Sequence, residues 1–495
     1  MGAPNTLTPE EKHFFETVFQ AVLANPFSDE REAADLRITG LFPGISRSEV
    51  LQQAIHEVRR KILVLETEGR AHLNAYAETD RRVLTAAFLF DIFHSYIDKF
   101  DQLILDQIAN DDRSLNVPFA KEAISLFRKR GFDNDTALHF FALCYQLRRA
   151  FYFIDRGLVG RSRCMRKLRE DLWNNVFTYD MDLYNQYLWN RMEDFSTLIL
   201  GETGTGKGAA AMAIGRSGYI PFDEKKGCFA ENFTKTFVAL NLSQFPENLI
   251  ESELFGHKKG SFTGAVEDHN GVFDRCSPHG AIFLDEIGEV SKPVQIKLLK
   301  VLEERLFCPV GSHNEKRFQG RIIAATNRSL DKLRNASVMR EDFFYRLCSD
   351  IINVPTLRQR ISEDPGELDD LLAFTLNKIT GKPSPDLNKT IRRAILEQPG
   401  KNYAWPGNVR ELGQCVRRIL LKKRYASTAE TRQEPTLSDL YRQMEIGLIN
   451  VNNLVKAYCR QLYDTFGNYG EVARRTGLDR RTVKKHVGAG GANDE

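Results

Sequence analysis

Apolar residues recur at helical spacing through the first third of the chain. Between 46 and 66, Leu51, Ile55, Val58, Ile62 and Leu65 follow one another at steps of four and three, which marks one face of a helix. Ser46 and Glu49 have the spacing of a capping box at its start, and Gly69 is a stop signal past its end. A second apolar pattern runs from Val83 to Ile108, and a third from Ala137 to Phe153. Strand signals are poor in this part. Residues 1–157 are therefore predicted to form a helical bundle.

The pattern changes after about residue 158. Short β-rich runs (FSTLIL, FVALNL, GAIFLDE and GRIIAATN) alternate with helical stretches up to about 425. That alternation predicts a parallel sheet flanked by helices. Residues 425–437, ASTAETRQEPTLS, are polar and contain a proline, so they read as a linker. The tail beyond it is helical and ends in a basic cluster. Residues 488–495, GAGGANDE, read as a disordered end. No internal repeat is visible. The fold class is multidomain α/β, with helical parts on either side of the sheet domain.

Length and composition narrow this little. A chain of 495 residues fits two to four domains. Hydrophobic residues at 42% and charged residues at 27% suit an ordinary globular protein, and a net charge of +3 makes any basic surface local. The eight cysteines are scattered and form no C-x-x-C pair, which argues for reduced thiols in a cytosolic protein and against a disulfide framework or zinc site. The start, MGAPNTLTPEEKHFFE, has no signal-peptide pattern. No apolar run approaches the roughly 18 residues of a membrane span. The stretch AAFLFDIFHSYI is broken by Asp91 and His94. A cytoplasmic protein without a membrane partner is expected.

Candidate chemistry begins at the first β-rich run. FSTLIL is followed by Gly201, Glu202, Thr203, Gly204, Thr205, Gly206, Lys207 and Gly208. A glycine-rich turn between a strand and a helix aims backbone N–H groups at phosphate oxygens, and the helix N-terminus adds a favourable dipole. Lys207 would neutralise the β- and γ-phosphates. The general pattern places Ser or Thr after the lysine to hold magnesium, and here that position is Gly208. Metal binding must then rest on other groups. GAIFLDE supplies them: Asp285 and Glu286 stand at the carboxyl end of a buried strand, where open α/β sheets bind ligands. Asp285 can hold magnesium, and Glu286 can orient and deprotonate an attacking water. The bland alternative is a strand end with two solvated acids.

Three further groups fit a nucleotide site. Asn327 ends the strand GRIIAATN and can reach a phosphate or the water, although such an Asn is commonly a turn residue. Arg340 and Arg346, in MREDFFYRL, can stabilise phosphoryl charge across a subunit boundary. On their own they read as a solvated helix face. Arg410, in WPGNVREL, starts a helix after a Pro-Gly turn and can sense nucleotide from a lid. It can equally be an ordinary first-turn arginine. Downstream of the phosphate loop, Gly260, Ser261, Phe262, Thr263, Gly264 and Ala265 set a Phe-Thr pair between glycines. Such a tip contributes little to a core but suits a mobile finger that touches another protein.

GETGTGKG, ESELFGHKKGSFTGA, GAIFLDEIGEV, AATNR, REDFFYRL and WPGNVREL occur in the order seen in bacterial enhancer-binding proteins, the AAA+ activators of sigma-54 RNA polymerase. The chain resembles that family closely from about 158 to 425, continues to resemble it in the tail, and does not resemble it over residues 1–157. The resemblance implies an AAA+ sigma-54 interaction domain over 158–425, with a core to about 355 and a helical lid over about 356–425. It implies a ring, usually a hexamer, with ATP and Mg2+ between subunits. Lys207, Asp285 and Glu286 would serve hydrolysis, and Arg340 and Arg346 would reach the neighbour's ATP. Asn241, in FVALNL, matches the asparagine that holds the catalytic glutamate from water until the partner engages. Asn327 matches the first sensor and Arg410 the second. Phe262 and Thr263 would form the tip that contacts sigma-54. Two departures stand out: Ser261 replaces the usual Ala, and Gly208 the usual Glu. Two stretches longer than usual, MDLYNQYLWNRMED and IPFDEKKGCFAENF, are expected to carry contacts peculiar to this branch.

The tail, 438–495, contains NYGEVARRTGLDRRTVKKHV, which has helix-turn-helix shape. Val472 and Ala473 pack the first helix, Gly477 permits the turn, and Asp479 caps the second. Val483 and Val487 fix the buried face of the second helix. Arg480, Arg481, Thr482, Lys484 and Lys485 are left to meet double-stranded DNA. From 471 to 487 six Lys/Arg stand against Glu471 and Asp479, a local net of +4. A basic helix in a small bundle is the alternative. The segment resembles the Fis-type tail of the same family, which implies dimeric tails on paired half-sites, with the preceding helix (about 447–465) helping to dimerise.

Over residues 1–157 the family comparison implies only a regulatory role. Phe88, Phe90, Phe93, Tyr96 and Phe100 are placed to line a ligand pocket, but their helical recurrence favours a core. The leading expectation is an ATP-hydrolysing activator that binds enhancer DNA and opens sigma-54 promoter complexes. The alternative is a DNA-binding regulator whose ring binds ATP without activating sigma-54.

Overall fold

Ser46 accepts the Glu49 amide, and the Glu49 carboxylate takes the Ser46 amide in return. This capping box opens helix α3 (Arg47–Thr67), and Gly69, at φ +70°, ends the segment. The computed structural model describes residues 5–110, 114–335, 338–400, 403–422 and 451–487. The predicted linker at 425–437 and the predicted disordered end at 488–495 lie outside the described residues, as does the start of the predicted tail domain. Residues 1–392 with 402–417 form one compact unit, and residues 393–401 with 418–495 a second.

The helices before the sheet are α1 (Pro9–Leu23), α2 (Asp29–Thr39), α3, α4 (Glu78–Ser95), α5 (Ile97–Ala109), α6 (Ala120–Lys129), α7 (Asn134–Gly157) and α8 (Arg163–Phe177). The buried face of α3 is Val50, Ala54, Val58, Ile62 and Leu65; Leu51 and Ile55 sit at its edge, half-buried. The single apolar pattern from Val83 to Ile108 is two helices, interrupted at Tyr96. Phe88, Phe90, Tyr96 and Phe100 are buried, and Phe93 is half-buried.

The sheet strands are β1 (Thr197–Leu200), β4 (Phe237–Asn241), β5 (Ala281–Asp285), β8 (Arg321–Thr326) and β9 (Asp350–Asn353). They are all parallel, in the order β4-β5-β8-β1-β9. Four match the predicted strands, and β9 was not anticipated. Two short antiparallel pairs complete the set: β2 (Phe222–Asp223) with β3 (Cys228–Phe229), and β6 (Leu306–Phe307) with β7 (Lys316–Arg317). The order places β1, which feeds the phosphate loop, between β8 and β9. Asn241 and Asp285 are register partners at the carboxyl ends of β4 and β5.

The helical layer and one face of the sheet share a single apolar core. Phe141, Tyr145 and Phe153 of α7 belong to it together with Ala210 and Ile214 of the helix Lys207–Gly215, Phe222, Phe229 and Phe283. Tyr145 stacks on Phe229 at 4.0 Å, and Phe141 meets Phe222 edge-on at 4.9 Å. Phe222 and Phe229 come from the unusual stretch IPFDEKKGCFAENF. The other unusual stretch, MDLYNQYLWNRMED, contributes the fully buried Tyr184, whose hydroxyl meets Gln146 of α7. Arg321 ties α8 to the sheet, donating to the Asn175 carbonyl and side chain and to Thr197. Burial pushes its guanidinium down to about 10.

In the second unit, helices Val451–Phe466, Tyr469–Thr476 and Arg480–Val487 pack around Cys459, Val472 and Val483. Among the described residues no helix is long and apolar enough to cross a membrane.

Candidate functional site

Gly204 and Gly206 adopt φ +81° and +113°, a region open to glycine and costly for other residues. They turn the chain from β1 into the helix Lys207–Gly215. A Cβ on Gly204 would stand 2.2 Å from the Gly407 carbonyl oxygen, so only glycine admits this approach of the segment around 407. The Arg410 amide donates to the Gly204 carbonyl at 3.3 Å, which places Arg410 beside the loop with its side chain exposed. Gly208 lies on the first helical turn and has room around it, with Phe283 no nearer than 4.0 Å to a built Cβ.

Lys207 is 7% exposed. Its Nζ donates to the Gly201 carbonyl at 2.9 Å and less closely to the Glu202 carbonyl. Burial lowers its pKa, while the charges of Glu286 and Asp285 act to raise it. The ammonium is thus bonded to the loop carbonyls and lies within the field of the acid pair. Thr205 closes the loop by donating to the Glu202 carbonyl at 2.9 Å.

Asp285 ends β5, and its Oδ1 accepts the Glu286 amide at 3.1 Å. Glu286 sits at φ +58°, ψ +45°, a left-handed conformation unfavourable for a side chain that lacks a glycine's freedom. The turn carries its carboxylate away from the line of the strand. Asn241, beside Asp285, spends its Oδ1 on the Ser243 amide and hydroxyl, at 3.0 and 2.7 Å. It makes no hydrogen bond to Glu286 here. Asn327 Nδ2 donates to Thr203 Oγ1 at 3.3 Å, joining the end of β8 to the loop.

Donor chemistry fits magnesium with a nucleotide. No cluster of three or more His, Cys, Asp or Glu able to hold a metal occurs among the described residues. Mg2+ needs only one or two carboxylates when phosphates and water complete its shell. Asp285 can be that carboxylate, since only one of its oxygens is engaged.

The two arginines point elsewhere in their own chain. Arg340 pairs with Asp342 at 2.7 Å, and Arg346 donates to the Leu302 carbonyl at 3.0 Å. Neither bonds the loop or the acid pair of the same chain.

Two residues not anticipated hold the loop. Asn408, fully buried at φ +52°, donates to the Thr203 carbonyl and to Glu202, and accepts the Leu357 amide at 2.8 Å. Arg358 forms a two-pronged ion pair with Glu202 and holds that carboxyl below its usual range. Asn408 lies inside the sequence WPGNVREL, two residues before Arg410, so its position was visible; its role depends on a fold-level contact.

The Phe-Thr tip has a defined base. His257 and His269 exchange backbone hydrogen bonds at 3.0 and 2.9 Å, and Lys258 pairs with Asp268 at 2.6 Å. Beyond that base, Gly260 donates to the Ala265 carbonyl at 2.8 Å, with Gly260 and Gly264 both at positive φ. Phe262 is half-buried, its ring edge-on to His257 at 4.9 Å, and Thr263 is exposed. So the tip is Thr263 and Gly264, with Phe262 partly tucked in. Ser261 packs on Gly311, and its buried hydroxyl has no hydrogen-bond partner.

In the second unit, Gly477 at φ +70° ends the helix Tyr469–Thr476. Asp479 accepts the amides of Arg481 and Thr482 at 2.9 and 3.0 Å, opening the helix Arg480–Val487. The Thr482 hydroxyl also donates to Asp479. Arg480, Arg481, Lys484 and Lys485 are exposed, and among the described residues none forms an ion pair. Arg474 and Arg475 are instead held by Glu471, at 2.6 and 2.8 Å, which brings that carboxyl down to about 2. The basic face open to a partner is thus four residues, fewer than a count along the sequence implies.

Comparison with known proteins finds relatives over the sheet domain and beyond. Residues 181–353 match the family model of the sigma-54 interaction domain. The chain is 34% identical over 365 residues to the DNA-binding transcriptional regulator NtrC of Azospirillum brasilense, covering 67% of this chain and 68% of that one. It is 40% identical over 230 residues to the Nif-specific regulatory protein of Azotobacter vinelandii, covering 46% of this chain and 40% of that one. It is 36% identical over 297 residues to the nitrogen fixation protein AnfA of the same organism, covering 58% of this chain and 51% of that one. The chain thus spans about half the length of these last two relatives.

Proposed function

This chain belongs to the bacterial enhancer-binding family, the activators of sigma-54 RNA polymerase, and on that premise we propose that it hydrolyses ATP in an oligomeric ring to remodel a sigma-54 promoter complex while its tail holds enhancer DNA. The observation that carries the reading is the position of Lys207, buried, bonded to the loop carbonyls and within the field of the acid pair Asp285 and Glu286. Its ammonium would leave the Gly201 carbonyl for the β- and γ-phosphates, and the loop amides would receive the remaining phosphate charge. Bound Mg2+ would neutralise charge on the transferring phosphoryl group, held at Asp285 directly or through water. Glu286 would orient and deprotonate the attacking water. Asn327 would read the γ-phosphate from the end of β8, and Arg410 the nucleotide from the lid of about 356–425.

Arg340 and Arg346 would act on a neighbouring subunit's ATP. Their bonds within this chain reach only Asp342 and the Leu302 carbonyl, which leaves them for that task. A ring, taken as a hexamer, follows from an active site completed in trans. Asn241 would switch from Ser243 to Glu286 as the partner engages. Thr263, exposed at the loop tip with Phe262 behind it, would touch sigma-54. The retained tip favours activation over a ring that only binds ATP. Arg480, Arg481, Thr482, Lys484 and Lys485 would meet the DNA, with dimeric tails on paired half-sites. The helices before residue 158 would regulate the ring.

The test is open-complex formation with purified sigma-54 polymerase, ATP and a promoter carrying the bound site. Glu286→Gln should retain ATP without hydrolysing it. Thr263→Ala should hydrolyse ATP without opening the promoter. Normal activation by Thr263→Ala would sink the loop assignment, and hydrolysis by the parent chain without open complex at any such promoter would sink the function.

A further inference from the structure

A cavity of about 660 Å³ lies among α1, α2, α3, α4, α7 and α8. That volume is in the range of small-molecule sites. Its walls are chiefly aromatic and aliphatic, including Phe19, Phe93, Leu147, Phe151 and Trp173. Phe93, Leu147 and Phe151 stay half-buried although they sit inside a helical layer, because they face this space. Well-packed cores leave few voids larger than a water molecule, so a space this large is not a packing residue.

Charges on the wall largely cancel. Arg31 holds Asp35 through both carboxylate oxygens at 2.9 Å, Arg82 holds Asp182 at 2.6 Å, and Arg148 holds Asp101 at 2.5 Å. The same three guanidiniums cover the rings of Phe90, Phe19 and Phe151 at 5.8, 4.9 and 5.3 Å. Of the remaining charged residues on the wall, Asp155 is exposed to solvent, and Arg47 donates its guanidinium to the Pro26 and Ser28 carbonyls, where burial lowers its pKa. No buried charge in the cavity asks a ligand for a counter-ion.

The wall also carries one imidazole. His94 packs against Phe90 and Phe93, with ring centroids 4.1 and 5.1 Å away. Its Nδ1 lies 2.8 Å from the Phe90 carbonyl oxygen, an acceptor, so Nδ1 carries the proton. Burial, aided by the charges of Arg31, Arg148 and Arg59, brings the imidazole down to about 3, which keeps it neutral. Nε2 is therefore a bare acceptor. Among the described residues it has no hydrogen-bond partner, and it is reachable from the cavity.

We propose that this cavity is a binding site for an uncharged, mainly apolar small molecule with one hydrogen-bond donor, which the donor aims at His94 Nε2. The apolar body fills the space between Phe93, Leu147 and Phe151. A ligand that fills the cavity without a donor would cut Nε2 off from any partner, and the donor supplies that hydrogen bond. α7 presents Leu143 and Leu147 to this cavity and reaches the sheet side with Gln146 and Arg149.

Calorimetric titration of the full chain with four naphthalenes of similar size tests the site. 2-Naphthalenemethanol carries a donor, 2-(methoxymethyl)naphthalene lacks it, 2-naphthoate is an anion, and 2-naphthylmethylamine is a cation. The alcohol should bind one to one, about tenfold tighter than the ether, the value of one neutral hydrogen bond. Both charged compounds should bind more weakly than the alcohol. His94→Phe should erase the difference between alcohol and ether, and Leu147→Trp, which fills the space, should abolish binding. The proposal is overturned if the alcohol shows no saturable binding, if the ether or a charged compound equals it, or if His94→Phe keeps the preference. Because that variant alters only the cavity wall, its result stands even where Leu147→Trp does not fold.

Discussion

Arg149, fully buried on α7, donates its Nη1 to the carbonyl of Arg216 at 2.8 Å, just past the end of the phosphate-loop helix. Its Nη2 reaches the Gly218 carbonyl at 2.7 Å. A cation at a helix C-terminus is favoured by the helix dipole, and the two carbonyls have few other donors in a buried setting. The guanidinium lies over the Tyr145 ring at 4.4 Å, and no carboxylate pairs with it. Arg149→Met keeps the volume and strands both carbonyls. It should lower unfolding stability by about 2–4 kcal/mol, measured by urea denaturation. A loss below about 0.5 kcal/mol, the scale of an ordinary surface change, would show that the bonds do not matter.

Ser261 offers the opposite sign. Its hydroxyl is buried without a partner, while its Cβ packs on Gly311. Ser261→Ala keeps the packing and removes the unsatisfied group. It should raise the unfolding midpoint, with a gain of up to about 1–3 kcal/mol. A fall in the midpoint on thermal melting would mean that the hydroxyl has a partner in solution.

His94 should make the protein acid-sensitive. Its folded pKa is about 3, and an unfolded histidine titrates near 6.5. Between those values the unfolded chain binds a proton that the folded chain does not. Stability from this group is thus complete above about pH 6.5 and falls as the pH drops, by at most roughly 1.4 kcal/mol per pH unit. Urea unfolding of His94→Phe between pH 4.5 and 7 should show a flatter dependence than the parent. Equal slopes would contradict a neutral, buried imidazole.

The basic tail divides into two classes. Lys484 has no acidic partner among the described residues, whereas Arg474 is tied to Glu471. Lys484→Ala should weaken binding to duplex DNA regardless of sequence and reduce the salt slope by about one. Arg474→Ala should change the slope less. Fluorescence anisotropy across a range of KCl separates the two, and equal effects would remove the distinction drawn from the ion pairs.

Local signals carried the elements well. The capping box at Ser46 and Glu49 works through hydrogen bonds three residues apart, and four strands announced themselves as short apolar runs. β9 escaped because DIIN is brief and follows a helix directly; its place beside β1 comes from the sheet. The site was legible where neighbours in sequence do the work, as in the glycine loop and in Asp285 with Glu286. Asn408 and Arg358 were not legible, because each acts on Glu202 or Thr203 more than 150 residues away.

By itself the sequence determined the order of motifs, the phosphate loop, the acid pair, the Phe-Thr tip and the basic helix of the tail. These depend on spacing along the chain, which folding preserves. Tertiary structure alone decided that the first eight helices share a core with the phosphate-loop helix, through Phe141, Tyr145 and Arg149. It also decided that Phe93 and His94 border a cavity while Phe88 and Phe100 fill the core. Phe88, Phe93 and Phe100 belong to the same apolar pattern along the sequence. Which face meets a neighbour and which meets a void is set by the packing of other helices, and that is not written at any one position.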